Sequence, residues 1–271
     1  MRVAICQMNS GDDVETNVST AEGLLHEAAE GGADLAALPE VFAYLGPSSR
    51  HPEIAEPLDG PICRRLASVA QARSMWVLGG SLHELDDGRI YNTSPLFDRE
   101  GELVAHYRKI HLFDVDLPDQ PKIRESSTFT AGDQLVTHET ELARVGLSIC
   151  YDVRFPELYR GLMALGSEVL LVPSQFLHVT GRDHWEVLLR ARAIENQCFV
   201  VAPGQSGTWG PPEDLRRSFG SSLVADPWGL ILARAPEEGV GVWFADLDFA
   251  ELRRIRNALP ALQHRRLGLS C

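Results

Sequence analysis

Three side chains able to do acid–base, electrostatic or nucleophilic chemistry come shortly after segments that we predict to be β-strands. They are Glu40 after residues 35–38, Lys109 after residues 102–108 and Cys150 after residues 145–149. In α/β proteins ligands bind at the carboxyl ends of strands. The three positions therefore form a candidate constellation of acid/base, cation and nucleophile. Taken singly, each has a plainer explanation: a buried free thiol at Cys150, and solvated charges at the other two positions.

Cys150 is the candidate nucleophile. A helix is predicted to begin near Pro156, and the positive end of that helix favours a thiolate on the preceding turn. Ser148, in the run Gly146-Leu147-Ser148-Ile149-Cys150, would lie inside the strand and not on an exposed turn. The sequence contains no phosphate-loop, dinucleotide-binding or zinc-protease signature. We therefore predict no metal and no organic cofactor.

The elements that position these residues alternate between strands and helices. A strand over 2–8, a helix over 14–30 and a strand over 34–38 form a βαβ unit, which predicts parallel pairing. Further helices are predicted over about 60–73, 156–165, 182–197 and 248–257, and further strands over 76–81, 91–98, 102–108, 143–149, 168–172, 198–203 and 241–246, with a hairpin across 227–229. About eleven strands exceed one ordinary open sheet. We expect one α/β domain over residues 1–271, with two sheets and long functional loops at 111–134 and 204–217.

Composition excludes several classes of partner. The 25 Lys and Arg residues against 38 Asp and Glu residues give a formal net charge of −13, which disfavours nucleic acid and anionic membranes. The five cysteines are odd in number and scattered, which argues against a disulfide framework and a zinc cluster. The amino end is too short and too polar for a signal peptide. We therefore expect a cytoplasmic protein.

Longer matching segments identify a family. They are Ala37-Leu38-Pro39-Glu40, Tyr107-Arg108-Lys109-Ile110-His111-Leu112-Phe113-Asp114, Gly146-Leu147-Ser148-Ile149-Cys150-Tyr151-Asp152-Val153-Arg154-Phe155-Pro156-Glu157-Leu158 and residues 184–197. These segments resemble those of the nitrilase superfamily of carbon–nitrogen hydrolases, and specifically those of its Nit branch of amidases. The resemblance implies a four-layer α-β-β-α sandwich, usually a homodimer, with Glu40, Lys109 and Cys150 as the Glu-Lys-Cys triad. It also makes Glu125 the second active-site glutamate, which would orient Lys109 or the substrate nitrogen.

The implied chemistry is amide hydrolysis through a thioester. Glu40 would take the proton of the Cys150 thiol and later protonate the leaving nitrogen. Lys109 would lower the pKa of the thiol and, with the backbone N–H of Tyr151, hold the oxyanion. Rival hypotheses are a non-catalytic scaffold of the same fold and acyl transfer from the thioester to an amine.

The same resemblance bears on the substrate. Arg154 would bind a substrate carboxylate as a bidentate donor, with Thr180 beside it; the alternative for Arg154 is an ion pair with Asp152 or Glu157. Most segments are similar to the deaminated-glutathione amidases, while residues 111–116 are also similar to the omega-amidases that act on 2-oxoglutaramate and 2-oxosuccinamate. N-carbamoyl amino acid hydrolases fit less well. The two residues that open the helix at 182–197, His184 and Trp185, could line the pocket or pack in the core.

Overall fold

The computed structural model describes residues 1–118 and 122–267. In chain order its strands are β1 (Arg2–Gln7), β2 (Leu35–Ala37), β3 (Trp76–Leu78), β4 (Leu82–Asp86), β5 (Arg89–Phe97), β6 (Leu103–Arg108), β7 (Asp114–Val115), β8 (Ile123–Arg124), β9 (Thr137–Glu139), β10 (Arg144–Leu147), β11 (Val169–Leu171), β12 (Phe199–Ala202), β13 (Thr208–Trp209), β14 (Arg216–Arg217), β15 (Leu223–Ala225), β16 (Ile231–Arg234) and β17 (Gly241–Asp246). Its α-helices are α1 (Val14–Glu30), α2 (His51–Ile54), α3 (Pro61–Arg73), α4 (Pro156–Ala164), α5 (His178–Asn196) and α6 (Phe249–Ala258).

Two large sheets form the centre of the fold. The first has the order β17-β1-β2-β3-β5-β4, with β6 also paired to β5, and the second has the order β16-β15-β12-β11-β10-β9. Strands β1, β2 and β3 run parallel, as do β10, β11 and β12, because each pair is joined by a crossover connection. Helices α1 and α3 cover the first sheet, and α4 and α5 cover the second. The predicted four-layer α-β-β-α sandwich is confirmed.

The alternation of side chains along β1 shows how the layers form. Val3 and Ile5 belong to the core shared with the second sheet. Ala4 and Cys6 point to the opposite face and pack against the outer helices. Both faces are apolar, so the strand reads as a continuous apolar run, which is typical of a parallel strand buried on both sides.

Some predicted elements were wrong. Helix α5 begins at His178 and not at residue 182. Its first turn contains Gly181, a weak helix former, but a Cβ there would lie 2.4 Å from Phe219, so close packing sets the start of the helix. The strand before Cys150 ends at Leu147, and a 3-10 helix (Cys150–Arg154) separates it from α4. The two-residue and other short strands β4, β7, β8, β9, β13 and β14 were not predicted.

The expected long loops contain local structure. Strands β7 and β8 pair within 111–134, and β13 and β14 pair within 204–217. Residues 119–121 of the first loop, and Cys271, lie outside the described residues. The four other cysteines are all free and buried. Across residues 1–118 and 122–267, no helix combines the length and the apolar character that a membrane span requires. The assignment of residues 1–271 to a single domain stays a prediction.

Candidate active site

The candidate residues from both sheets meet at one edge of the sandwich. Glu40 follows β2 and Lys109 follows β6, both in the first sheet, while Cys150 follows β10 in the second. Lys109 Nζ lies 2.8 Å from Glu40 Oε1 and 2.8 Å from Glu125 Oε2. The Lys109 side chain is only 2% exposed. Four residues far apart in the sequence therefore form one buried cluster.

The charges in this cluster stabilise one another. Burial alone would lower the pKa of Lys109, but the carboxylates of Glu125 and Glu40 outweigh it and hold the pKa well above its ordinary value. Lys109 is thus an ammonium group at neutral pH. A buried cation held by two carboxylates is a costly arrangement for a protein to build, and it is typical of a functional site.

Asn92 completes the cluster and was missed by the sequence analysis. It lies on β5, is 1% exposed, and its Nδ2 donates to Glu40 Oε1 at 3.0 Å and to Glu125 Oε1 at 3.1 Å. Asparagine is depleted in strands, so its position within a predicted strand was the available signal. Asn92 fixes the two carboxylates relative to each other.

Backbone groups hold Glu40 from the other side. The N–H of Gln175, just beyond β11, donates to Glu40 Oε2 at 2.7 Å. Gly80 packs on the peptide before Glu40, where a Cβ would lie 2.0 Å from the carbonyl oxygen of Pro39. The first contact orients the carboxylate, and the second fixes the backbone that carries it.

The Cys150 thiol faces this carboxylate from a strained turn. Cys150 has a φ of 45°, a left-handed conformation that is uncommon outside glycine and clusters at functional sites. Its Sγ lies 3.6 Å from the carbonyl oxygen of Gln175. Burial, followed by the charge of Glu40, raises the pKa of the thiol well above its ordinary value. Lys109 acts in the expected lowering direction but does not prevail, so the resting group is a thiol.

The turn that carries Cys150 is tied to the lysine segment by Asp152. This carboxylate accepts hydrogen bonds from the Tyr107 hydroxyl at 2.8 Å, the backbone N–H of His111 at 3.1 Å and the backbone N–H of Ile149 at 2.8 Å. The N–H of Tyr151 has no acceptor in the part of the chain that the structure describes. It is available to a ligand beside the sulfur.

These groups open into a cavity of about 520 Å³. One wall contains the rings of Tyr44, His51, His83 and Phe129, with the two imidazole centroids 4.4 Å apart. Burial lowers the pKa of His51, and that of His83 well below its ordinary value, so both rings are neutral at pH 7. The described residues contain no group of three or more His, Cys, Asp or Glu side chains placed to hold a metal ion.

Comparison with known proteins identifies the family. The family model described as "Carbon-nitrogen hydrolase" matches residues 2–257. The chain belongs to this family. It is 43% identical over 277 residues to the deaminated glutathione amidase of Bos taurus, covering 98% of this chain and 82% of that protein. It is 38% identical to the omega-amidase NIT2 of Mus musculus, and the match covers 99% of this chain and 96% of that protein.

A solved structure agrees with this assignment. The crystal structure of the Caenorhabditis elegans NitFhit protein matches with a TM-score of 0.89 at 37% identity, over 98% of this chain and 65% of that longer chain. The resemblance to the Nit branch of the nitrilase superfamily is therefore confirmed. The protein is a hydrolase of carbon–nitrogen bonds other than peptide bonds.

In this carbon–nitrogen hydrolase, Arg154 and Thr180 make no hydrogen bond to the four clustered residues. Neither lines the cavity described above. Arg154 Nη1 lies 3.2 Å from His184 Nδ1, and its guanidinium lies 5.1 Å from the centroid of the Phe176 ring. Thr180 Oγ1 donates to the Leu177 carbonyl oxygen at 3.3 Å. The alternative ion pair of Arg154 with Asp152 or Glu157 does not occur among the described residues.

The two aromatic residues left open by the sequence have different environments in the hydrolase. Trp185 is buried in the core, and its Nε1 donates to the carbonyl oxygen of Ser221 at 2.8 Å. His184 contacts Arg154 on the surface of α5. Because α5 begins earlier than predicted, both residues lie in its second turn.

Proposed function

We propose that this hydrolase cleaves a small 2-oxo amide that bears a carboxylate, such as deaminated glutathione, through a thioester on Cys150. The observation that carries the proposal is the buried cluster of Glu40, Lys109 and Glu125 beside the Cys150 thiol. It combines a base, a cation and a nucleophile at one cavity. The similarity to proteins named deaminated glutathione amidase supports the choice of substrate.

In the first step Glu40 accepts the thiol proton as the sulfur of Cys150 attacks the amide carbon. The raised pKa of the thiol supports this order, because little thiolate exists before the base acts. Negative charge then appears on the carbonyl oxygen. Lys109 and the N–H of Tyr151 stabilise it, and a single such donor typically contributes about 2.7–4 kcal/mol to lowering the barrier.

In the second step Glu40 returns the proton to the nitrogen, and the amine or ammonia leaves. A water molecule, deprotonated by Glu40, then attacks the thioester and releases the carboxylic acid and the thiol. Glu125 Oε2 accepts a second hydrogen bond from Lys109 Nζ, also at 2.8 Å. Its proposed role is to keep the ammonium group charged and aimed at the oxyanion throughout the cycle.

Arg154 and Thr180 are proposed to bind the 2-oxo carboxylate. Arg154 belongs to the same 3-10 helix as Cys150, and its contacts are with a histidine and aromatic rings, which leaves guanidinium donors for a carboxylate. We expect Arg154→Ala to raise KM for carboxylate-bearing amides about tenfold with a smaller change in kcat. An unchanged KM in steady-state assays would locate the carboxylate elsewhere.

The omega-amidase reaction on 2-oxoglutaramate or 2-oxosuccinamate is the second candidate, supported by the similarity to omega-amidase NIT2. Parallel assays of product release from deaminated glutathione and from 2-oxoglutaramate separate the two. A kcat/KM at least tenfold higher for deaminated glutathione supports the main proposal, and the reverse ratio supports the second. Turnover of neither substrate would refute both.

We further propose that the protein is a cytoplasmic homodimer. An apolar patch supports the dimer: Ile194 of α5 lies against the turn at Gly229, which Trp228 and Leu230 flank. Val187 lies two turns earlier on α5, and all four apolar side chains are exposed. Arg190 Nε donates to the carbonyl oxygen of Gly229 at 2.7 Å, so helix and turn form one surface. Exposed patches of this kind are typical of protein interfaces. Cell fractionation tests the cytoplasmic location.

A further inference from the structure

The outer part of the cavity differs in charge from its inner part. Near Cys150, the charge of Lys109 is balanced by Glu40 and Glu125. The outer charged lining among the described residues consists of Lys122, Arg124, Asp214 and Arg216. Cations therefore predominate at the mouth of the cavity, in a chain whose formal net charge is −13. A local reversal of sign within a concave surface attracts anions.

Arg216 is held by both a carboxylate and an aromatic ring. Its Nε and Nη2 bind the Asp214 carboxylate at 3.2 and 2.7 Å, and its guanidinium lies 5.3 Å from the centroid of the Trp209 ring. These contacts fix the guanidinium plane and leave Nη1 for another acceptor. Trp209 also lines the cavity, but its Nε1 is buried away from the open space. The hairpin of β13 and β14 thus offers Nη1 of Arg216 as a donor.

Arg124 lies on the opposite hairpin, formed by β7 and β8. Its Nη1 donates to the carbonyl oxygens of Val115 and Ile123 at 2.9 Å each, which anchors the side chain through backbone groups. It makes no ion pair with a carboxylate in residues 1–118 or 122–267. Lys122 contributes less than Arg216, because its side chain is 68% exposed against 23% for Arg216, and solvent screens an exposed charge.

The volume of the cavity adds a second argument. At about 520 Å³, it falls within the range of roughly 300–1,000 Å³ that is typical of sites for drug-sized ligands. A five-carbon 2-oxo amide that loses only ammonia would leave the outer part to water. An amide whose nitrogen carries a peptide-like group would extend from Cys150 toward the two hairpins.

We propose that Arg216 and Arg124 form a binding site for a carboxylate on the amine half of the substrate. This inference rests on the proposed function and specifies its substrate class: an amide with one carboxylate on the acyl side and a second on the leaving amine. The second carboxylate accepts charge-assisted hydrogen bonds from the two guanidinium groups.

The kinetic test compares two substrates that differ in their leaving groups. Deaminated glutathione carries the distal carboxylate, and 2-oxoglutaramate, which releases ammonia, does not. We expect Arg216→Gln and Arg124→Gln each to lower the ratio of kcat/KM for deaminated glutathione to that for 2-oxoglutaramate about tenfold, equivalent to ~1.4 kcal/mol. Arg216→Lys should recover part of the loss. Arg254→Gln, a change at an exposed arginine of α6, is the matched control and should keep the wild-type ratio.

A second measurement does not depend on turnover. Chloroacetylglycine and chloroacetylglycinamide both alkylate a thiol with loss of chloride, and they differ only in the distal carboxylate. The rate at which each reagent alkylates Cys150 is measured by peptide mass mapping. We expect the rate with chloroacetylglycine divided by the rate with chloroacetylglycinamide to fall severalfold in Arg216→Gln and Arg124→Gln. An unchanged ratio overturns the carboxylate site even if the enzyme cleaves deaminated glutathione. A changed ratio without cleavage of either substrate supports the site and refutes the proposed function.

Discussion

The Cys150 thiol lies between two charged groups that act on its pKa in opposite directions. Glu40 and burial raise the pKa, and Lys109 lowers it, with a net rise well above the ordinary value. The thiol therefore stays protonated around neutral pH in the empty site, where a free thiolate would be open to oxidation. Proton transfer to Glu40 can then accompany attack on a bound amide, when Lys109 is also needed by the oxyanion.

Replacement of the nucleophile gives the most direct prediction at the residue scale. Cys150→Ala removes the attacking sulfur with a small loss of volume, so we expect turnover to disappear while the melting temperature stays within a few degrees of wild type. Cys63→Ala, a change at a buried thiol on α3 outside the site, serves as the control and should retain turnover. Amide hydrolysis and thermal melts followed by circular dichroism check both variants. Substantial turnover by Cys150→Ala would exclude the thioester.

Asn92 gives a prediction about the alignment of the two carboxylates. Its Nδ2 donates to Glu40 and Glu125, and these bonds hold the two carboxylates in place. Asn92→Ala removes both bonds, so the carboxylates lose their fixed positions relative to Lys109 and Cys150. At neutral pH we expect kcat to fall about tenfold, since such bonds contribute ~1.5–3 kcal/mol.

Asn196→Ala is the matched control for this change. Asn196 is a buried asparagine of α5, outside the site, whose Nδ2 donates to the carbonyl oxygen of Arg192 at 2.9 Å. Its replacement should lower stability without lowering kcat. An Asn92→Ala enzyme with an unchanged kcat would show that Asn92 only supports the fold.

The contrast between Asn92 and the other site residues shows what the sequence could reveal. Glu40, Lys109 and Cys150 each follow the carboxyl end of a predicted strand, and this position marks them in the sequence alone. Glu125 depended on family resemblance, because its own loop has no periodic pattern. Asn92 lies within β5. The residues around it do not reveal whether its side chain points inward to the carboxylates or outward to solvent.

At the scale of elements, the 3-10 helix that carries Cys150 is held against the lysine segment by Asp152. Asp152→Asn would direct an amide N–H₂ toward the N–H and O–H donors that the carboxylate now binds. We expect a loss of about 1–3 kcal/mol in the free energy of unfolding. We also expect at least a tenfold fall in kcat, because the sulfur and the ammonium group lose their alignment.

Asp13→Ala serves as the comparison for Asp152→Asn. Asp13 caps α1, and its side chain accepts a hydrogen bond from the Thr16 N–H at 2.7 Å. Loss of this cap costs ~1 kcal/mol and should leave kcat unchanged. Urea denaturation and steady-state kinetics measure both effects. A kcat loss in Asp152→Asn no larger than in Asp13→Ala would mean that the turn needs no such support.

Element prediction failed mainly where strands are short. Strands β13 and β14 contain two residues each, in a segment rich in Gly and Pro, so no alternation of apolar and polar residues could appear. The start of α5 depends on Phe219, about forty residues further along the chain, which packs against Gly181. An α/β domain with two sheets was predictable because the βαβ pattern covers most of the chain, whereas the order of the four layers depended on family resemblance.

At the scale of the whole molecule, the net charge and the apolar patch act in opposite directions on association. A charge of −13 makes two copies repel each other at low ionic strength. The patch of Val187, Ile194, Trp228 and Leu230 favours their contact through apolar burial. If the patch forms the interface, the dimer should tighten as salt screens the repulsion, over a Debye length of about 10 Å at 0.1 M.

The last prediction tests that interface. Val187→Glu places a charge at a residue that is 67% exposed in the single chain, so folding should be unaffected. In a dimer the carboxylate would be buried without a partner, which costs several kcal/mol. We expect light scattering to give two chains per particle for wild type and one for Val187→Glu. Leu103→Glu, on β6 of the other sheet, should remain dimeric. A dimer that survives Val187→Glu would place its contact on another face, and a monomeric wild type would refute the homodimer itself.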